Sequence, residues 1–171
     1  MPVLALLFFI LVPGDSLHTG DIAPDFTLKG ATKDSILSVP ITLSAFRHST
    51  PVVLAFYPAD WSGGCTKEMC TMRDNFVDLS GPGITVFGIS GDYVYSHREW
   101  AHHLGLQFTL LSDHDHAVAR QYNSYDPASG KNRRTVYVID TSGRIVYVDP
   151  AYDAHSSGSF GNLKAALKTA H

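Results

Sequence analysis

The sequence has no excess of basic residues and little cysteine, and both shortages narrow what the protein can be. Thirteen Lys and Arg stand against sixteen Asp and Glu, for a formal net charge of −3. A chain without basic clusters has no electrostatic basis for binding nucleic acid or an anionic membrane. Two cysteines are too few for a disulfide scaffold. A hydrophobic content of 44% in 171 residues predicts instead one folded domain with a substantial core.

Long apolar runs are also scarce, and the one that stands apart is Val3 to Val12, closed by Pro13 and Gly14. It is too short to span a bilayer unaided. It resembles the apolar part of a signal peptide, but no Lys or Arg precedes it and no cleavage site is clear. An extra strand or an irregular tail are the alternatives. We expect an apolar N-terminal segment over residues 1–16, a folded domain over 17–171 and a cytoplasmic protein, with export or membrane association as the alternative.

Apolar periodicity divides the rest of the chain into strands and helices. Apolar runs predict strands at Pro51–Tyr57, Ile84–Ser90, Phe108–Leu111, Thr135–Ile139 and Arg144–Val148. Ile22–Leu28, which carries Pro24, predicts a turn leading into a short edge strand, and Leu37–Leu43 predicts a weak strand broken by Pro40. Helical spacing predicts a helix from Thr66 to the stop at Gly81-Pro82-Gly83 and another from a capping box at Ser96–Glu99 to Gly105. A third is predicted after Ser112-Asp113, running to about Tyr122, and a last one around Phe160, Leu163 and Leu167. Crossover helices imply parallel strands, and the last two strands form an antiparallel hairpin. The predicted fold class is α/β, with a mixed central β-sheet flanked by helices on both faces.

The more informative cysteine lies where an apolar strand gives way to a helical pattern. The segment Phe56-Tyr-Pro-Ala-Asp-Trp-Ser-Gly-Gly-Cys65 places a thiol at the start of a predicted helix. Unsatisfied backbone N–H groups and the positive end of the helix dipole stabilise a thiolate there and make it a better nucleophile. A buried, inert cysteine is the alternative. The position of Cys65 therefore indicates redox chemistry.

Reduction of a peroxide by a thiolate needs an attack path, donors for the leaving oxygen and a second thiol. Pro58 can shape and shield the loop, and the Ser62 hydroxyl can donate and accept hydrogen bonds, although a helix N-cap is its commoner role. Arg134 is the best candidate for holding thiolate and peroxide, since its guanidinium keeps its charge. Because side chains alternate along an extended segment, only one of Arg133 and Arg134 should face the site. Glu68 either orients this arginine or simply suits the first turn of a helix.

Cys70 is the candidate for the second, resolving thiol. Five helical steps place the Cα atoms of Cys65 and Cys70 roughly 8–9 Å apart. A disulfide tolerates at most about 7 Å. We therefore expect an intramolecular disulfide to require that the first turns of the helix unwind. The alternative is that Cys70 packs in the core and that an external thiol completes the reaction.

These residues resemble a known family. The pattern Pro58-x-x-x-Ser62-x-x-Cys65 is similar to the peroxiredoxin active-site signature, with Ser where Thr is commoner. Other segments agree with the family in order: Gly20–Phe26, Phe56–Pro58, Cys65–Glu68, Gly88–Asp92, Ser96-His97, Leu111–Asp113 and Arg134–Asp140. The five-residue cysteine spacing resembles the bacterioferritin comigratory, or Q-type, branch. Trp61 and the pair Gly63-Gly64 depart from that branch and are expected to loosen the loop and alter the rate or the substrate preference.

The resemblance implies a thioredoxin-like fold and the reduction of hydrogen peroxide and organic hydroperoxides. It implies that Cys65 is the peroxidatic residue and Cys70 the resolving residue, and that thioredoxin or a glutaredoxin-like dithiol donor recycles the enzyme. We expect a monomer or a weak homodimer. The sequence has no flavin, nicotinamide or haem signature, so we expect no bound cofactor.

Two other functions compete with this interpretation. A thiol–disulfide oxidoreductase usually carries Cys-x-x-Cys, which the observed spacing does not match. A metal-binding or redox-sensing module is suggested by nine histidines and by the run Asp113-His-Asp-His116. Two cysteines with four residues between them make only half a zinc site, and the Asp-His run more plausibly caps a helix. His97, His102 and His103 are expected on or near a helix surface.

Overall fold

The computed structural model describes residues 16–76, 83–153 and 155–170. The predicted N-terminal segment therefore lies, apart from Ser16, outside the described residues. The predicted helix stop at Gly81-Pro82 also lies outside them.

Nine strands and four α-helices, with one 3₁₀ turn at Leu43–Phe46, make up the described part of the chain. The strands are β1 (Thr27–Ala31), β2 (Ile41–Thr42), β3 (Val52–Phe56), β4 (Thr85–Ser90), β5 (Thr109–Ser112), β6 (Tyr125–Asp126), β7 (Lys131–Asn132), β8 (Thr135–Ile139) and β9 (Ile145–Asp149). The helices are α1 (Gly63–Asp74), α2 (Val94–Leu104), α3 (Ala117–Gln121) and α4 (Ser157–Leu167).

Seven strands form one sheet in the order β2-β1-β5-β4-β3-β8-β9. The central strands β3, β4 and β5 run parallel, because helices cross over between them. The neighbours on both sides pair antiparallel: β1 with β5, and β8 with β3 and β9. The prediction of a mixed sheet with a terminal hairpin is confirmed, and β4 lies at the centre of the sheet with β3 beside it.

Both faces of β3 are buried, and successive side chains enter two separate cores. Val53 and Ala55 face a core that includes Cys65. Leu54 and Phe56 face a second core on the other side of the sheet. Helices α1, α2 and α4 contribute to the first core, and α3 and the 3₁₀ turn contribute to the second. The continuous apolar run of β3 thus reflects a strand covered on both faces.

The N-terminal strands differ from the prediction. The turn and short edge strand predicted over Ile22–Leu28 correspond to an isolated bridge of Ile22 with Arg144 and a strand that begins only at Thr27 and runs on to Ala31. Pro24 has no N–H to contribute to a ladder, so pairing begins beyond it. Of the strand predicted at Leu37–Leu43 only Ile41 and Thr42 pair.

Three helix starts also differ from the prediction, and one of them is α3, which begins at Ala117 rather than directly after Asp113. Helix α1 begins at Gly63 rather than Thr66, and α2 begins at Val94 rather than after Ser96. The capping-box prediction was wrong, since the Ser96 hydroxyl donates to the Asp60 carboxylate over 2.7 Å and does not cap. The predicted end of α2 is confirmed, because Gly105 is its C-cap with a left-handed φ of 65°.

Candidate active site

Helix α1 positions Cys65 within its first turn. The chain leaves β3 at Phe56, passes through the loop 57–62 and enters the helix at Gly63, with Ser62 at the N-cap in an extended conformation. Cys65 is fully buried in the first core. The first N–H groups of a helix have no partner within it, so the sulfur lies at the positive end of the helix dipole. The predicted setting for a nucleophilic thiolate is present.

Arg134 reaches this thiol from the residue just before β8. Its Nη2 lies 3.3 Å from Cys65 Sγ, and its Nη1 donates to Glu68 Oε2 over 2.5 Å. Arg133 is exposed, so only one of the two arginines faces the thiol, as side-chain alternation predicts. Glu68 therefore orients Arg134, and Arg134 places a permanent cation beside the sulfur.

Glu68 is fully buried on α1, and this burial governs its charge. Burial raises the pKa of Glu68 to about 7, against the opposing effect of Arg134. Burial lowers the pKa of Arg134, but the charges of Glu68 and Cys65 and its hydrogen bonds to them together outweigh burial, so the pKa is raised. Glu68 Oε1 and the hydroxyl of buried Tyr152 have no hydrogen-bond partner among the described residues. Sequence reasoning did not find Tyr152, because nothing in its local pattern distinguishes it from a core tyrosine.

Gly64 explains how Arg134 approaches so closely. A Cβ atom at this position would lie 2.6 Å from Arg134 Nη2, whereas one at Gly63 would meet nothing within 4 Å. The sequence interpretation, that the Gly63-Gly64 pair loosens the loop, missed this contact. Gly64 gives the guanidinium room beside the helix.

Pro58 and Ser62 both lie on the loop before Cys65 and are half-buried. The Ser62 hydroxyl donates to the Ala59 carbonyl over 3.1 Å and does not cap α1, although Ser62 occupies the N-cap position. The Ser62 carbonyl accepts the N–H of Thr66 over 2.8 Å. The roles predicted for Pro58 and Ser62 toward a substrate stay predictions.

Cys70 lies on the same helix as Cys65, and both are free thiols. Cys70 is half-buried and packs against the first core. In a continuous helix the two Cα atoms are roughly 8–9 Å apart, beyond disulfide range. Three residues further on, Arg73 Nη1 donates to the carbonyl of Leu104, at the end of α2, over 2.7 Å. The reduced protein therefore keeps the two sulfurs apart on one intact helix.

His97 was predicted near a helix surface, and that prediction was wrong, since its side chain is fully buried. Its Nδ1 lies 2.9 Å from Oδ2 of Asp60, a residue of the loop before α1. His97 precedes Trp100 by three residues and Leu104 by seven, so it shares the apolar face that those two residues predict. That spacing was the signal for burial. His102 and His103 are exposed as predicted.

The run from Asp113 to His116 serves the start of α3. The Asp113 carboxylate accepts the N–H groups of Val118 over 3.1 Å and Ala119 over 2.7 Å, which confirms the predicted capping role. Within residues 16–76, 83–153 and 155–170 no three His, Cys, Asp or Glu side chains are placed to hold a metal ion. The helices in these ranges are all too short or too polar to cross a membrane.

Comparison with known proteins agrees with this geometry. Residues 19–148 match the AhpC/TSA family. Peroxiredoxin Q of Triticum aestivum is 38% identical over 130 residues, which cover 75% of this chain and 57% of that protein. The protein designated peroxiredoxin bcp of Coxiella burnetii is 36% identical over 156 residues, which cover 86% of this chain and 99% of that protein.

Solved structures agree with the fold. Peroxidoxin BcpB from Mycobacterium tuberculosis superposes with a TM-score of 0.78 at 30% identity, covering 91% of this chain and 99% of that one. AhpC of Enterococcus faecalis, at 22% identity and a TM-score of 0.77, supports the fold alone. The architecture is thus the thioredoxin-like fold of peroxiredoxins. The chain belongs to the AhpC/TSA family, among relatives named peroxiredoxin Q and bcp. The matched part of the chain covers 57% of the length of the wheat and rice relatives.

Proposed function

We propose that the protein is a thiol-dependent peroxidase in which Cys65 attacks the peroxide. The observation that carries this proposal is the 3.3 Å contact between Arg134 Nη2 and Cys65 Sγ, with Glu68 holding the other arm of the guanidinium. A buried thiol at a helix N-terminus, beside a permanent cation, fits the role of a nucleophile better than the role of an inert core residue.

In the first step the Cys65 thiolate attacks one peroxide oxygen. An S–O bond forms, the O–O bond breaks, and the leaving oxygen takes up the proton that the thiol released, giving Cys65 sulfenic acid and water or an alcohol. Arg134 and the N–H groups at the start of α1 are placed to stabilise the negative charge on the reacting oxygens. We expect hydrogen peroxide and organic hydroperoxides as substrates, with Pro58 and Ser62 bordering them.

In the second step the Cys70 thiol attacks the Cys65 sulfur. An S–S bond forms, the S–O bond breaks and water leaves, so the protein ends with an intramolecular disulfide. Because both cysteines belong to α1, this step requires the N-terminal turns of the helix to open. A dithiol donor such as thioredoxin or a glutaredoxin-like protein then reduces the disulfide, and no bound cofactor is needed.

Intact mass spectrometry tests the proposal directly. After one equivalent of hydrogen peroxide, the wild type should lose two hydrogens, and Cys70→Ser should retain one added oxygen as a trapped sulfenic acid. Cys65→Ser should neither gain oxygen nor consume peroxide. A Cys65→Ser protein that still removes peroxide at the wild-type rate would refute the assignment. Faster reduction of insulin disulfides than of peroxide would instead indicate a thiol–disulfide oxidoreductase.

We also propose that the protein acts in the cytoplasm as a monomer or a weak homodimer. Cell fractionation and sedimentation of the purified protein test the two parts. Recovery from the membrane or the exported fraction would favour the alternative location.

A further inference from the structure

A buried acid–base pair lies behind the loop that leads into α1. Asp60 on the loop and His97 on α2 have side chains that are 1% and 0% exposed. His97 Nδ1 lies 2.9 Å from Asp60 Oδ2, and Nε2 lies 3.1 Å from the carbonyl oxygen of Leu111 at β5. A carbonyl oxygen only accepts hydrogen bonds, so His97 Nε2 carries a proton. The contact between His97 Nδ1 and Asp60 Oδ2 needs a second proton, carried by one of these two atoms. The pair as a whole is therefore neutral, which suits its burial.

Asp60 is held by more than His97. The Tyr57 hydroxyl donates to Oδ1 over 2.8 Å, and the Ser96 hydroxyl donates to Oδ2 over 2.7 Å. Burial and the neighbouring Asp60 charge raise the pKa of Tyr57, so its hydroxyl stays a donor. The Asp60 backbone N–H donates to the Asp92 carboxylate over 2.8 Å. Three elements, the end of β3, the segment after β4 and helix α2, thus converge on one loop residue.

The residue that follows Asp60 adopts a conformation that needs such support. Trp61 has a φ of 60°, which is unusual for a bulky side chain and costs free energy. Its indole N–H donates to Ser96 Oγ over 3.2 Å, so the same serine contacts both Asp60 and Trp61. Ser62, the N-cap of α1, comes next. The path from Asp60 into the helix is therefore set by contacts to α2.

We propose that Asp60 and His97 are positioning residues that hold the loop 57–62 in the geometry needed for reaction with peroxide. This inference rests on the proposed peroxidase function. Arg134 approaches Cys65 from β8 and is oriented by Glu68, so it does not depend on the loop. The two supports then have separate tasks: Arg134 stabilises the thiolate, and the Asp60–His97 pair sets the loop that borders the incoming peroxide.

These separate roles predict which reaction of Cys65 becomes slower when the Asp60–His97 pair is removed. Displacing a reacting geometry by about 1 Å costs up to ~10²-fold in rate. Alkylation by a small reagent requires that the reagent reach the thiolate sulfur, but it requires little further alignment of the two. Loss of the pair should therefore slow oxidation of Cys65 by peroxide far more than its alkylation.

The experiment uses the Cys70→Ser protein as parent, so that Cys65 is its one thiol. His97→Phe in this parent should lower the second-order rate constant with hydrogen peroxide by ~10-fold or more. Alkylation by iodoacetamide should change by less than about threefold, by the same reasoning. The matched control is His102→Phe, which changes an exposed histidine of the same helix and should leave both rates as in the parent.

The outcomes separate this inference from the proposed function. A parent that fails to react with peroxide contradicts the peroxidase proposal itself. A reactive parent with an equally reactive His97→Phe variant overturns only the positioning role. Equal losses of the peroxide and iodoacetamide rates also overturn it, since they indicate a general disturbance of the site.

A double-mutant cycle covers the case in which His97→Phe does not fold. Asp60→Asn and His97→Gln preserve approximate size and polarity, and each should slow the peroxide reaction. Because the two residues act as one unit, the double variant should be no slower than the slower single variant. Independent, multiplicative losses would overturn the proposal.

Discussion

Gly64 decides, at the scale of single residues, how closely Arg134 approaches Cys65. In Gly64→Ala the new Cβ would lie 2.6 Å from Arg134 Nη2 and would displace the guanidinium from the sulfur. We expect the rate constant of Cys65 with peroxide, measured by stopped-flow fluorescence, to fall by ~10-fold or more. Gly63→Ala is the control, since nothing lies within 4 Å of its Cβ position. Equal rates for the two variants would contradict this account.

Glu68 predicts a pH dependence of stability. Its pKa is raised from 4.5 to about 7 by burial, so the folded protein holds this proton more tightly than the unfolded chain. The free energy of unfolding should therefore fall as the pH rises from about 4.5 to about 7, by about 3 kcal/mol from this group. Above and below that window its contribution is constant.

Urea denaturation of the reduced protein between pH 4 and 8 checks this prediction. Glu68→Gln cannot ionise, so the difference in unfolding free energy between wild type and variant should shrink or reverse across the window. Glu99→Gln, at an exposed residue of α2, is the matched control and should follow the wild type. A Glu68→Gln protein with the same pH dependence as the wild type would show that the titrating group lies elsewhere.

The residues of the site were predictable to different degrees. Cys65, Glu68 and Arg134 could be found because a helix start, a one-turn spacing and a strand start each leave a local pattern. The Asp60–His97 contact joins residues 37 positions apart, and only the packing of α2 against the loop creates it. Gly64 is constrained by its close contact with Arg134, which the interpretation of the Gly-Gly pair as a flexible loop does not predict.

At the scale of elements, α1 is the part that must change during the proposed cycle. After one equivalent of peroxide, amide hydrogens in the first turns of α1 should exchange faster than in the reduced protein, since a Cys65–Cys70 bond cannot form on an intact helix. Hydrogen exchange with mass spectrometry measures this change. Cys70→Ser treated in the same way should keep its protection. Unchanged protection in a wild type that carries the disulfide would contradict helix opening.

The strands were predictable from the sequence where their apolar residues follow a regular pattern. Strands β3, β4, β8 and β9 carry continuous or alternating apolar residues, and the structure has them within one or two residues of the predicted bounds. The short strands β1, β2, β6 and β7 are less predictable because their pairing depends on neighbours rather than on their own composition. The start of α1 was placed three residues late because Gly63 and Gly64 have low helix propensity, which tertiary contacts override.

At the scale of the whole molecule, the sheet divides the interior into two cores, and Cys65 belongs to the first of them. Leu54 faces the core opposite Cys65, and Met69 of α1 belongs to the core that contains Cys65. Both side chains are fully buried, so replacing either with Ala should cost ~2–5 kcal/mol. Leu54→Ala should nevertheless leave the peroxide rate constant at low temperature within about twofold of the wild type, because the sheet separates it from the site.

Met69→Ala should lower both the free energy of unfolding and the rate constant with peroxide, because the cavity left by the methionine side chain opens beside the Cys65 thiol. Thermal denaturation and stopped-flow kinetics of the same preparations compare the two variants. A similar loss of rate in Leu54→Ala would indicate that the two cores respond as one.

The bond from Arg73 to Leu104 gives α1 one fixed end. Its first turn depends on the loop and on Arg134, whereas its last turn is tethered to the terminus of α2 over 2.7 Å. In the proposed cycle we expect the first turns of α1 to open and the Arg73–Leu104 bond to hold the last turn in place. Because Cys70 lies one turn before Arg73, we expect its sulfur to move less than the Cys65 sulfur when the disulfide forms.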